Sequence, residues 1–131
     1  MTTAAPTATE SIGRELVSLC KSGNNLDALA KFYSPEIVSI EAMDFDGMPA
    51  RMTGIDAIRR KNEWWFDTFD VNSHDVEGPF VNGDSFAVRY SYDTTNKQSG
   101  ERRQSSEIAV YTVQDGRIVQ ERFFSGPATE R

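Results

Sequence analysis

SEIAVYTVQDGRIVQERFF, residues 106–124, is the stretch that decides the fold. Asp115-Gly116 tolerates positive φ at both positions and marks a two-residue hairpin turn. It predicts strands from Ser106 to Val113 and from Arg117 to Phe124. With so short a turn the register follows: Val113 faces Ile118, Val110 faces Glu121, and Ile108 faces Phe123. One face then carries Ile108, Val110, Thr112, Val119, Glu121 and Phe123. The other carries Ala109, Tyr111, Val113, Ile118 and Phe124, with Glu107, Gln120 and Arg122 among them. Neither face alternates cleanly enough to meet water, so each is covered. Helices on one side and a second copy of the chain on the other satisfy that requirement. Glu121 then sits in the helix-facing wall, where a carboxylate is costly unless paired or used. Glu107 falls on the opposite face, where a dimer contact with Arg122 suits it.

Working outward, Ser85 to Asp93 puts Phe86, Val88, Tyr90 and Tyr92 on one face and Ala87, Arg89 and Ser91 on the other. Asn82-Gly83 turns into it from a strand over Val71 to Pro79, and a polar loop, Thr94 to Gly100, leads on to the hairpin. Earlier still, Ile12, Leu16, Leu19 and Cys20 recur at helical spacing, and Gly23 ends that helix. Asn24 or Asn25 caps a second helix with Leu26, Leu29, Ala30 and Tyr33 inward, which Pro35 stops. Ile37 to Glu41 is a short strand, followed by irregular chain through Met43, Gly47 and Pro49. Thr53 with Asp56 resembles a capping box opening a third helix. Its inward seam reads Ile55, Ile58, Asn62, Trp65, Phe66 and Phe69. Three helices interrupted by one strand, then an antiparallel meander, make an α+β domain with helices on one face of a curved sheet.

The 131 residues suit one domain, with 38% hydrophobic residues enough for a single core. We expect a lead-in over 1–9, a domain over 10–126 and a tail over 127–131. A formal net charge of −6 argues against a nucleic-acid or anionic-membrane partner. The runs Arg59-Arg60-Lys61 and Arg102-Arg103 are short and read as solvated surface. Cys20 stands alone on a helical stripe, so it packs as a small core residue; His74 is the one histidine, which disfavours zinc. No stretch has the length of a membrane span, and Met1 to Thr9 lacks the basic start and apolar run of a secretory signal. A cytoplasmic location is the expectation.

The order of elements, and several phrases within it, resemble the SnoaL-like branch of the nuclear transport factor 2-like superfamily. The phrases are Leu26-Asp27-Ala28-Leu29 running into Phe32-Tyr33-Ser34-Pro35-Glu36-Ile37-Val38-Ser39-Ile40-Glu41, Gly54-Ile55-Asp56-Ala57-Ile58, Gly78-Pro79, and Val110-Tyr111-Thr112-Val113-Gln114-Asp115-Gly116-Arg117-Ile118. The resemblance implies a cone-shaped, cystatin-like α+β fold, in which three N-terminal helices pack on a strongly curved antiparallel sheet around an apolar cavity. The superfamily holds ketosteroid isomerases, polyketide cyclases, dehydratases, epoxide hydrolases and plain binders, so fold alone does not choose a function. In the isomerases a carboxylate at the end of the first strand moves a proton, and the matching position here is Glu41. Their tyrosine and protonated-aspartate donors fall on Leu16 and near Ile108, neither of which can donate. SnoaL-type cyclases rely on an acidic residue of a late strand, where this chain has Glu121.

The candidate catalytic residues are therefore Glu41 and Glu121, two carboxylates facing one dry site whose pKa values would be pushed apart. Ser39, Asn62, Trp65, Phe86, Val88, Tyr90, Tyr92, Ile108, Val110 and Phe123 are the expected lining, with Asn62, Tyr90 or Tyr92 holding a ligand oxygen. Trp64, adjacent to Trp65, goes to a rim or interface. His74 reads as a satisfied polar residue. Nucleotide loops, nucleophile elbows and metal constellations are not apparent, so no cofactor is expected. The chain reads as a homodimer that binds a small apolar molecule and carries out cofactor-independent proton transfer. A non-catalytic binding or scaffold module is the alternative.

Overall fold

The computed structural model describes residues 7–125. Helix α1 (Ala8–Lys21) is followed by α2 (Asn25–Phe32), β1 (Tyr33–Ile40), β2 (Arg51–Thr53) and α3 (Ile55–Thr68). Four long strands complete the chain: β3 (Phe69–Asn82), β4 (Ser85–Asn96), β5 (Arg102–Gln114) and β6 (Arg117–Ser125). The expected lead-in and tail lie largely outside the described residues. Thr7 to Thr9 do not belong to a lead-in, because Thr7 and Glu10 close a reciprocal capping box that starts α1. No helix is long and apolar enough to cross a membrane among the described residues.

The six strands form one sheet in the order β2-β1-β6-β5-β4-β3. It is mixed, not antiparallel throughout, because β1 runs parallel to β6. The chain needs α3 and the whole meander to return from β1 to its neighbour, and such a connection permits parallel pairing. Asp115 and Gly116 adopt the positive φ that the hairpin turn demands, 51° and 75°. The capping box expected at Thr53 and Asp56 is absent; Gly54, at φ 99°, occupies the N-cap without a side-chain bond.

The hairpin register differs from the two-residue expectation. Val113 does pair with Ile118, but Thr112 pairs with Gln120, so Val119 is an extra residue on β6. This bulge advances the rest of the ladder by one: Tyr111 faces Glu121, Ala109 faces Phe123 and Ile108 faces Phe124. The faces of β5 are thereby exchanged. Ala109, Tyr111 and Val113 are buried with Ile118 in the core, while Ile108 is 44% exposed on the outside. Tyr111, Val113 and Ile118 therefore cannot form the outer, pairing surface the sequence assigned them.

The core joins Ile12, Leu16, Val17 and Cys20 of α1, Leu29 of α2 and Ile58 of α3 to Ile37, Phe86, Val88 and Tyr111 of the sheet. Helix α1 lies against β3 and β4, and Gly13 permits the approach: a Cβ there would fall 2.9 Å from the Pro79 Cβ. Beyond this core β3 to β5 continue well past the expected strand ends. Arg102 holds that extension with Nε 2.8 Å and Nη2 2.9 Å from the two Asp93 carboxylate oxygens, and Asn72 donates to Asp93 from β3 at 3.0 Å. The bidentate pair keeps the Asp93 carboxyl well below the usual carboxylate range.

Candidate functional site

Between the helices and the inner sheet face lies a hollow of about 720 Å³, within the range of small-molecule sites. Alternation on β1 turns Ile37 and Ser39 inward. The Glu41 N–H then donates to the Ala50 carbonyl at 2.8 Å, so the β1–β2 pairing persists one residue past the strand and Glu41 joins the lining. On β6 the bulge aims Glu121 inward beside Ser39, its partner in the parallel ladder. Glu121 is 2% exposed, an uncommon position for a carboxylate.

Its oxygens are fully engaged. The Tyr33 hydroxyl donates to Oε1, and the Ser39 hydroxyl donates to Oε2 at 2.7 Å. Lys61 of α3 completes the cluster, with Nζ 2.7 Å from Ser39 Oγ, 2.8 Å from Glu41 Oε2 and 3.6 Å from Glu121 Oε2. The ammonium also lies 5.1 Å from the centroid of the Phe123 ring. Lys61 is buried, so its reading as solvated surface with Arg59 and Arg60 is wrong. It stands three residues after Ile58 and four before Trp65, which is the inward stripe; the neighbouring arginines masked that spacing.

Glu107 corrects a second assignment. The exchanged faces of β5 turn it into the hollow, opposite Tyr90 on β4 and Ser125 on β6, not toward a partner with Arg122. It has no hydrogen bond or ion pair among the described residues. Burial raises its pKa, the Glu41 and Glu121 charges raise it further and Lys61 opposes them, for a value of about 7 against an ordinary 4.5. The signal for it was its alternation with Ala109, Tyr111 and Val113, the more apolar face of the strand.

Tyr90 and Tyr111 share a hydrogen bond of 2.7 Å, and burial holds both well above the usual tyrosine range, so they remain neutral phenols. Tyr92 is raised likewise, by burial and then by Glu107. Cys20 lies 3.8 Å from the Tyr90 hydroxyl, and burial pushes its thiol to about 11, which leaves it unreactive. Trp65 packs 5.0 Å from the Tyr92 ring and 5.8 Å from Phe69.

Of the expected lining, Asn62, Trp65, Tyr90, Tyr92 and Phe123 reach the hollow with Glu41 and Glu121. Asn62 spends an amide hydrogen on the Ile58 carbonyl of its own helix. Ser39 sits behind the wall as a link between Lys61 and Glu121. Phe86 and Val88 are core residues at 1% and 0% exposure. Ile108 and Val110 are on the outer face and do not line the hollow, a consequence of the bulge. Trp64 joins the lining instead of a rim, its ring tilted against Phe45 with centroids 5.3 Å apart. His74 also borders the hollow, with Nε2 3.1 Å from the Lys21 carbonyl. Among the described residues no three acidic, histidine or cysteine side chains gather as a metal site.

A model of the SnoaL-like domain family matches residues 7–125. A Mesorhizobium loti structure described as a SnoaL-like polyketide cyclase, and also as a carbohydrate phosphatase, is 40% identical. The match covers 87% of this chain and 96% of that one, with a TM-score of 0.81. An NTF2-like protein of Burkholderia thailandensis is 18% identical over 93% and 92% of the two chains, with a TM-score of 0.77. A Bacillus subtilis protein described as an isomerase is 18% identical over 92% and 87%, with a TM-score of 0.72. The last two likenesses concern the fold alone. No curated protein matches the sequence.

Proposed function

Because the chain belongs to the SnoaL-like domain family, we propose that its hollow takes up a small, largely apolar molecule and moves a proton on it without a cofactor. The reaction is of the isomerase, cyclase or dehydratase kind. A carboxylate withdraws a proton from carbon beside a polarised C=O or C=N bond, and the protonated group returns it elsewhere. Glu107 is that carboxyl. One observation carries the choice: it lines the hollow without a partner among the described residues, and its surroundings poise it near 7, where a general base works best.

Glu41 and Glu121, the carboxylates singled out from sequence, act in this reading as fixed charges. Both are tied to Lys61, and Glu121 also accepts from two hydroxyls. They raise Glu107 and hold the ammonium in place. A phosphate monoester, by contrast, would bring two negative charges toward three carboxylates and one lysine, so the phosphatase half of the relative's description is not carried over. The proposal includes a homodimer through the outer sheet face, where Phe80, Ile108 and Phe124 stand exposed.

The test is deuterium exchange at the α-carbon of simple ketones and imines in D₂O, followed by proton NMR. Glu107→Gln should abolish exchange while retaining ligand binding. Exchange that survives in Glu107→Gln and disappears in Glu41→Gln would transfer the role to Glu41. Binding without any exchange in the wild type leaves a non-catalytic binding module.

A further inference from the structure

We propose that the molecule held in the hollow is a small organic cation, an ammonium or protonated imine carried on an apolar or aromatic body. The inference rests on the hollow being a ligand site and refines that reading by charge.

Many of the donors around the floor are engaged with one another. Tyr33 and Ser39 donate to Glu121, Lys61 donates to Ser39 and Glu41, Asn62 donates to its own helix, and Tyr90 and Tyr111 bond together. An anionic oxygen approaching the Lys61 ammonium would compete with bonds already made to Ser39 and Glu41. Of the charged side chains lining the hollow, the Glu107 carboxylate alone has no hydrogen bond or ion pair among the described residues, and the donors left beside it are the neutral Tyr92 hydroxyl and indole N–H groups. Charge points the same way, since Glu41, Glu107 and Glu121 face a single ammonium from Lys61. At the rim Arg103 is offset by Glu101, 3.8 Å away.

The walls have the matching character. In an antiparallel ladder the residues diagonal to a given position lie on the same face about 7 Å away. Tyr90 and Ser125 stand directly opposite Glu107, so its diagonal neighbours among the described residues are Val88 and Tyr92 on β4 and Phe123 on β6, two of the three aromatic. Trp65 leans over Tyr92 from α3. Ring faces around a carboxylate attract a cation through both the ion pair and the ring quadrupoles. One ring already does this, because the Lys61 ammonium sits over Phe123.

A cationic ligand also removes the need for a group to hold an oxyanion, and Leu16 and Ile108 supply none. With a protonated imine, the α-carbon proton passes to Glu107 and its electron pair forms a C=C bond. The C=N π pair moves to nitrogen, and a neutral enamine results.

Isothermal titration of the full chain with benzylammonium, benzyl alcohol and benzoate at pH about 8.5 separates the possibilities. Benzylammonium should bind about tenfold tighter than benzyl alcohol, with benzoate weakest. That preference should vanish in Glu107→Gln and should shrink in the wild type as the pH is lowered to about 6, where Glu107 takes up its proton. The wild-type pH series keeps the test independent of how the variant folds. Equal or tighter binding of benzyl alcohol overturns the cation assignment and leaves the ligand site standing. Failure of all three probes to bind overturns the ligand-site reading as well.

Discussion

Lys61 of α3 donates to Ser39 of β1 across 2.7 Å, and that contact ties the helical layer to the sheet inside the hollow. Through it the ammonium reaches Glu41 directly and Glu121 through one hydroxyl. Lys61→Met removes the cation and leaves two carboxylates close together without their counter-ion. Loss of one partner of a buried pair costs about 3–5 kcal/mol, and the partial exposure of Glu41 argues for the lower end. Urea unfolding should show that loss, and the Glu107 midpoint, followed by carbon-13 NMR, should move above 7 because Lys61 opposes its rise. An unchanged midpoint would mean that Lys61 does not set the potential in the hollow.

Glu107 makes stability depend on pH in a defined direction. In the unfolded chain it loses its proton near 4.5, whereas in the folded chain it keeps it to about 7. The folded state thus binds more protons in that interval. The contribution is complete below 4.5 and is lost as the pH rises through 7. Relative to Glu107→Gln, the wild type should lose about 1–2 kcal/mol across this window, allowing for water in the hollow. Parallel stability profiles for the two proteins would show that Glu107 titrates as an ordinary surface carboxylate.

Gly13 marks the closest approach of α1 to the sheet. A Cβ at this position would lie 2.9 Å from the Pro79 Cβ and 3.2 Å from a Phe86 ring carbon. Alanine is the better helix former, yet overpacking outweighs propensity here. Gly13→Ala should lower stability by about 1–3 kcal/mol, seen as a lower urea midpoint at unchanged slope. A stabilised variant would show that the helix shifts freely over β3.

The outer face makes a separate prediction. Ile108 and Phe124 are ladder partners there, 44% and 47% exposed, with Phe80 on the same sheet at 61%. Ile108→Glu should convert a dimer into monomers in sedimentation velocity, with ligand affinity within about twofold of wild type. A wild type that remains monomeric at high concentration would remove the dimer proposal.

Local signals in the chain revealed most of its architecture. Asp115-Gly116 located the last hairpin, the stripe Ile12, Leu16 and Cys20 located α1, and the alternation of Phe86, Val88, Tyr90 and Tyr92 fixed the inner face of β4. What remained hidden depends on register or on distant partners. Val119 has nothing in its chemistry to mark it as the supernumerary residue of a bulge, so alternation alone assigns the faces of β5 in reverse. Without the bulge Glu107 falls outward and Ile108 and Val110 fall into the lining, the reverse of the structure. Glu121 was placed inward correctly, but by a ladder that does not exist. Lys61 was hidden by composition: between Arg60 and Asn62 it looks like solvated charge, and only the three-dimensional meeting of β1, β6 and α3 shows what it neutralises. The parallel contact of β1 with β6 joins chain ends that no short-range pattern relates.

The bulge at Val119 has a further consequence. Had β6 continued from Ile118 in unbroken phase, Glu121 would stand opposite Val110 and point away from the helices. The parity of the strand, and not the identity of any side chain, therefore decides whether the interior carries this charge. Relatives of this fold can gain or lose a central carboxylate by the insertion or deletion of one residue, a step no catalogue of point substitutions would reveal.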